Sequence, residues 1–115
     1  SQNDCRKMIS TLERLETVEG SNEQISLSKM QIYEQLGEKR KEYDELKSLV
    51  DSHPLDLNYQ VMFGNWLLQN GKKKEALQKY RDVLKKDPAN SPARLSMMDY
   101  YNSIGDQPTV NAIRQ

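Results

Sequence analysis

The sequence predicts an all-α fold, an array of stacked antiparallel helix hairpins, from two observations. Apolar side chains recur at three- and four-residue steps in successive segments, which is the spacing of one face of a helix. Turn-forming residues also return in one register, because Gly37, Gly71 and Gly105 lie 34 positions apart, as do Pro54 and Pro88. Such a period indicates two-helix units, each of which covers the apolar face of its neighbour.

Residues 1–22 predict the second helix of a hairpin whose first helix is not in the chain. The helical pattern runs from Asp4 to Glu19, with Asp4 as N-cap, and Gly20 follows it. Met8 lies two 34-residue periods before Ala76, and Ala76 belongs to the second helix of its hairpin. We therefore expect the apolar side of this helix to be partly uncovered.

The two ends of the chain suggest a piece of a longer protein. The sequence begins Ser-Gln without an initiator Met and stops inside a helical pattern. Uncovered ends leave one alternative function open, a structural homo-oligomer in which chain ends pair. The residues that such pairing would bury are Met8, Leu12, Val110 or Ile113.

Residues 23–56 predict the first complete hairpin, with its two helices separated at Gly37. Lys29 occupies a position that is apolar in the later repeats, so the first helix is the least regular of its kind. Glu42 replaces a small residue in the second helix. We expect the hairpin to splay there, or to shift by one residue and bury Tyr43 instead.

Residues 57–90 predict the most regular hairpin. Gly71 can adopt the left-handed conformation that ends the first helix, and Pro88 cannot continue the second. Gly64 and Ala76 are small residues on the facing sides of the two helices. The pair should therefore pack closely at that point.

Residues 91–115 predict a truncated hairpin. Pro92 lies in the first turn of its first helix, where the missing N–H is tolerated. Gly105 ends this helix, Asp106 can cap the next, and a last short helix begins at Pro108.

The central hairpin resembles a tetratricopeptide repeat (TPR). The family pattern has a small residue midway along the first helix, Gly at the turn, Ala early in the second helix, an aromatic four residues later and Pro at the exit. This pattern is met by Gly64, Gly71, Ala76, Tyr80 and Pro88, although Gln60 stands where Trp or Tyr is usual. The resemblance implies a right-handed superhelical α-solenoid that acts as a non-catalytic protein- or peptide-binding scaffold. The runs ISTLERLETVEGSNEQISLSKM and DLNYQVMFGNWLLQNGKKKEAL are also similar to bacterial TPR proteins of the cell envelope, which favours an exported or periplasmic parent.

The resemblance further implies that the first helices line a concave groove where peptides or partner proteins bind. The positions that match the family's groove columns are Gln24, Leu27, Gln31, Glu34, Asn58, Val61, Asn65, Leu68, Leu95, Asp99 and Asn102. Amides in this set can bond an extended backbone, and the aliphatic stripe of Leu27, Val61 and Leu95 can hold an apolar side chain. TPR proteins that clamp a C-terminal carboxylate use lysine and arginine here, so a receptor for chaperone tails is not expected. The alternatives are a solvated groove, one covered by other repeats of the parent, or an accessory domain of a larger protein whose activity lies elsewhere.

Composition excludes several classes of function. The 17 basic and 17 acidic residues balance, so no global field attracts nucleic acid or anionic membrane. No apolar run approaches the ~20 residues of a membrane span. His53 precedes a proline, where we expect a solvated loop residue, and Cys5 has no second cysteine to pair with. We therefore expect neither an enzyme nor a bound metal or cofactor.

Overall fold

The structure, a computed structural model that describes residues 1–115, contains seven α-helices and no strands, which confirms the all-α prediction. The helices are α1 (Gln2–Glu19), α2 (Glu23–Leu36), α3 (Lys39–Ser52), α4 (Leu57–Gln69), α5 (Lys73–Lys86), α6 (Ser91–Ser103) and α7 (Gln107–Arg114).

Helix boundaries follow the 34-residue period. The first helices of the hairpins, α2, α4 and α6, begin at Glu23, Leu57 and Ser91, and the second helices, α3, α5 and α7, begin at Lys39, Lys73 and Gln107. The turn glycines have positive φ values of 72° at Gly37, 80° at Gly71 and 78° at Gly105. Only glycine adopts this left-handed backbone without a Cβ penalty, so these glycines fix where each first helix ends.

The chain divides into two compact units, Ser1–His53 and Pro54–Gln115. In the first unit, α1 and α3 both pack against α2. In the second unit, α4 packs against α5, α6 contacts both of them, and α7 packs against α6. Each hairpin is thus a local pair of consecutive helices, as the short turns require.

The buried side chains of the two units differ in character. Those of the first unit are Ile25, Ser26, Lys29, Ile32, Tyr33, Glu42, Leu46 and Leu49, three of which are polar or charged. Those of the second unit are all uncharged and include Phe63, Leu67, Ala76, Tyr80, Val83 and Met97. Helix α1 contributes no buried residue.

Side-chain caps begin most of the helices. Asn22, Asn90 and Asp106 each accept a hydrogen bond from the backbone N–H three residues later. This is the N-cap geometry that satisfies an otherwise unpaired donor. One expectation is corrected, because α1 starts at Gln2 with Ser1 as its N-cap rather than at Asp4.

Two expectations about the hairpins are also corrected. Glu42 is 9% exposed and Tyr43 is only half-buried, so α3 keeps its register and does not shift to bury the tyrosine. Val110, one of the residues that pairing of chain ends would bury, is 2% exposed in the helix that packs against α6. It is therefore not available for pairing with another copy.

Candidate protein-interaction site

The close approach expected in the central hairpin occurs between Gly64 of α4 and Tyr80 of α5. A Cβ atom added to Gly64 would lie 2.7 Å from Cε1 of Tyr80, nearer than carbon atoms can approach. The Tyr80 side chain is fully buried, with 0% exposure. Glycine at this position therefore lets the tyrosine ring lie directly on the backbone of α4.

Tyr80 also orients a residue of the predicted groove. Its hydroxyl donates a hydrogen bond of 2.6 Å to the side-chain oxygen of Asn65. Burial raises the pKa of the Tyr80 hydroxyl, and its hydrogen bond with Ser96 opposes that shift. The hydroxyl is thus a protonated donor that fixes the Asn65 amide, whose oxygen is engaged while its nitrogen can donate to a ligand.

The second unit places most of its predicted groove positions on open or half-open surface. Leu95 is 55% exposed, and Asp99 and Asn102 are exposed on the same side of α6, at helical spacings of four and seven residues. On the adjacent helix α4, Asn58 is exposed and Asn65 and Leu68 are half-buried.

Val61 does not lie on this surface as expected. Its side chain is only 4% exposed, so it cannot meet a ligand without a movement of its surroundings. The aliphatic stripe predicted from the sequence is therefore interrupted at Val61.

In the first unit the four predicted positions lie on α2. Gln24, Gln31 and Glu34 are exposed, and Leu27 is half-buried. We call the groove positions of α4 and α6 other than Val61, all within the second unit, the first-helix face. Its only charged residue is Asp99, so it offers no cation to a ligand carboxylate.

The sequence analysis missed an ion-pair cluster inside the first unit. The ammonium nitrogen of Lys29 on α2 lies 2.7 Å from Oε1 of Glu45 on α3 and 3.0 Å from Oε1 of Glu16 on α1. Burial by itself lowers the pKa of Lys29, but hydrogen bonds to Glu45 and Glu16 outweigh it and raise the pKa above its ordinary value. The sequence does contain a sign of this cluster, because Lys29 stands at a position that is apolar in the later repeats and glutamates are frequent in the same unit.

His53 is not the solvated loop residue that the sequence predicts. Its Nδ1 lies 3.2 Å from the carbonyl oxygen of Leu49, and its Nε2 lies 3.0 Å from a carboxylate oxygen of Glu23. The imidazole therefore links the end of α3 to the start of α2. No group of three or more His, Cys, Asp or Glu side chains is arranged to hold a metal ion.

These features define a helical-repeat protein of the α-solenoid class, in which first helices present polar and aliphatic side chains on a packed scaffold. The chain belongs to the tetratricopeptide repeat family, whose pattern it matches over residues 37–115. The family predicted from the sequence is thereby confirmed.

The fold is also similar to a solved structure described as MamA MSR-1 C2. The TM-score is 0.66 at 16% sequence identity, with 96% of this chain and 63% of that chain covered. At this identity the likeness concerns the fold alone, and this chain spans about 63% of the other's length. No curated protein matches the chain.

None of the seven helices combines the length and the apolar character that crossing a membrane requires.

Proposed function

We propose that this chain is a non-catalytic scaffold that binds a protein or an extended peptide along its first-helix face. Membership of the TPR family supports a role in protein interaction, and the family is typically non-catalytic. The finer assignment, to the first-helix face, goes beyond what family membership supplies and rests on the side chains of α4 and α6.

The Tyr80–Asn65 hydrogen bond carries the proposal. It holds a polar side chain in one orientation on a helix that also presents Leu68, and the contacting helix α6 carries the exposed Leu95. A fixed amide can bond a peptide backbone with little loss of side-chain entropy, and flanking leucines supply apolar contact. Polar anchors beside aliphatic contacts favour an extended segment over a small molecule.

The chemistry of the face also restricts the ligand. Asp99 is its only charged residue, so an internal peptide segment fits it better than a free C-terminal carboxylate. The ligand should carry an aliphatic side chain for Leu68 and Leu95, and backbone groups for the amides.

A randomised peptide library selected against the whole chain would test this proposal. For a selected peptide we expect Leu95→Asp to raise the dissociation constant at least tenfold, because the apolar contact is replaced by a charge. The matched control is Leu55→Asp, since Leu55 is 92% exposed but lies outside the first-helix face. The control should leave affinity unchanged.

Fluorescence anisotropy with the labelled peptide gives both dissociation constants. If both variants lose affinity equally, or if neither loses affinity, the peptide does not bind at the first-helix face. Circular dichroism of each variant separates a binding defect from unfolding.

The exposed side of α1 favours a second candidate function, self-association. Met8 is 53% exposed, Leu15 38% and Val18 82%, all on one helix. If copies pair through this side, light scattering should give a dimer mass for the wild type and a monomer mass for Val18→Asp. A monomer mass for the wild type at high concentration would end this alternative.

A further inference from the structure

Helix α1 carries a line of exposed side chains beside the line that faces its own unit. Its half-buried residues contact α2, since Cys5 bonds the side chain of Gln35 and Glu16 pairs with Lys29. No residue of this 18-residue helix is buried. A second line, which we call the α1 seam, is exposed along its whole length and consists of Met8, Thr11, Leu15 and Val18. Because α1 buries so little in its unit, a partner on the seam would bury apolar surface that is now in water.

The spacing of the α1 seam is that of a contact between two helices. Its residues follow one another at steps of three, four and three positions, which is the a and d spacing of a heptad. Thr11 fits such a line, because its hydroxyl donates a hydrogen bond of 3.0 Å to the carbonyl oxygen of Lys7 and is satisfied within the helix. The seam therefore fits a second α-helix.

Two unpaired charges flank the seam at the positions that choose a partner in paired helices. With Met8 at position a, Arg14 occupies position g and Glu19 position e. Both side chains are exposed, and neither forms an ion pair within the chain. Arg14 has no charged neighbour three or four positions away, so α1 itself offers it no acidic partner. Both charges are thus available to another molecule.

A second copy of the chain satisfies both charges in one orientation. In a parallel pair each g residue lies beside the e residue five positions later in the other helix, so Arg14 of one copy meets Glu19 of the second copy. Two-fold symmetry repeats this contact. An antiparallel pair aligned on the same seam brings the two Arg14 side chains together instead. Charge complementarity therefore favours the parallel pair.

We propose that the α1 seam binds the α1 seam of a second copy in parallel, which gives a two-fold symmetric dimer with two Arg14–Glu19 ion pairs. This inference rests on the self-association described above as the second candidate function, and it adds the orientation and the charges that select it. Asp4 continues the line before Met8, but it pairs with the terminal ammonium group of Ser1. The seam spans only two heptads, so the dimer is weak and the chain is a monomer when dilute.

Sedimentation equilibrium of the whole chain over a concentration series gives the dissociation constant of the dimer. Arg14→Glu and Glu19→Arg should each raise this constant about fivefold or more, because two attractive pairs become two repulsive ones. The double variant Arg14→Glu with Glu19→Arg should return to within about twofold of the wild type, since it restores both pairs with the signs exchanged. The matched control is Glu13→Arg, which makes the same charge change at an exposed position on the opposite side of α1 and should shift the constant less than about twofold.

Mixing the two single variants tests the same pairs without a double substitution. Arg14→Glu presents two acids at the flanking positions and Glu19→Arg presents two bases, so a parallel heterodimer regains both ion pairs. Native mass spectrometry should show this heterodimer in excess over either homodimer. Added NaCl at about 0.5 M should reduce the excess, because salt screens exposed charges.

Three results would overturn the parallel pairing. They are unchanged dissociation constants for both single variants, a double variant as weak as the singles, and an associated mass above that of a dimer. If the wild type still dimerises and Val18→Asp does not, self-association through α1 survives while the orientation is wrong. A wild type that stays monomeric at high concentration removes both. Circular dichroism identifies any variant that fails to fold, and Glu19→Arg should fold because a cation is favourable in the last turn of a helix.

Discussion

The two units follow one 34-residue plan but place different residues at the contact between paired helices. In the second unit the small residue is on the first helix, Gly64, and the large one on the second, Tyr80. The positions 34 residues earlier hold Met30 and Leu46, two side chains of similar size, so the first unit has no small residue at the corresponding positions. The 34-residue period is therefore shared by the two units, while the residues at the contact differ.

The units also differ in what they bury. Lys29 and Glu42 of the first unit occupy the columns of Phe63 and Ala76 in the second. Apolar packing tolerates small changes, whereas a buried charge depends on its partner being present. The first unit should therefore be more sensitive to loss of a single charge, and the second to added volume.

Removal of the shared ammonium should have the largest effect. In Lys29→Met, two carboxylates with side chains 19% and 17% exposed would face each other without a cation. Losing one partner of a buried pair costs about 3–5 kcal/mol, and partial exposure favours the lower end of that range. Urea denaturation measures this free energy of unfolding.

The matched control for that prediction is Lys47→Met, because Lys47 forms an exposed pair with Asp51 and should change stability by less than about 0.5 kcal/mol. Adding Glu16→Gln and Glu45→Gln to Lys29→Met should restore part of the loss. Equal small losses in the two lysine variants would contradict the contrast between the units.

A methyl group at Gly64 should have the next largest effect. Glycine to alanine within a helix ordinarily stabilises by roughly 0.5–1 kcal/mol. Here the new Cβ would lie 2.7 Å from the ring of a fully buried tyrosine, so we expect a loss of about 2 kcal/mol instead.

The double variant Gly64→Ala with Tyr80→Leu tests the cause, because leucine is the residue of the first unit at that column. It should be less destabilised than the sum of the two single variants. A stabilising Gly64→Ala substitution, measured by thermal unfolding, would show that Tyr80 can move aside.

The Tyr80 hydroxyl should contribute less to the free energy of unfolding than the packing of its ring. In Tyr80→Phe the hydrogen bond to Asn65 is lost and the packing is kept, which costs about 1 kcal/mol. The control is Tyr101→Phe, whose hydroxyl accepts a long bond of 3.5 Å from Arg81 and should matter less. Chemical denaturation of both variants gives the difference, and a larger loss for Tyr101→Phe would contradict this ranking.

The sequence allowed the fold to be predicted because its signals are local. Gly37, Gly71 and Gly105 mark turns that only glycine adopts readily, and the positive φ values confirm this use. Asp106 was recognised as a cap from its position before the last helical pattern.

The candidate sites were less predictable because they depend on contacts between distant residues. The burial of Val61 and the Lys29 cluster require knowledge of which side chains meet across helices. Comparison with the family's groove positions selected Asn65. Its hydrogen bond to Tyr80 could not be predicted from the sequence, because the two residues lie on different helices.

The smallest expected effect concerns the attachment of α1 to the rest of its unit. Arg6 on α1 donates a hydrogen bond of 2.7 Å to Glu38, beside the start of α3. This interaction with Arg6 lowers the pKa of Glu38 below its ordinary value. A lowered pKa in the folded state means that the stabilisation is present above the ordinary glutamate pKa of about 4.3 and is lost as pH falls through the folded value.

Amide hydrogen exchange of α1 can detect this weak contact. Acidification below about pH 4 should reduce protection of α1 in the wild type more than in Arg6→Gln, which has already lost the pair. Arg14→Gln serves as the control, because Arg14 lies on the same helix and forms no ion pair in the structure. Since the Arg6 side chain is 57% exposed, the difference should also shrink as NaCl is added. If Arg6→Gln and wild type lose protection equally, then α1 is held by its contacts near Lys29 and not by its N-terminal pair.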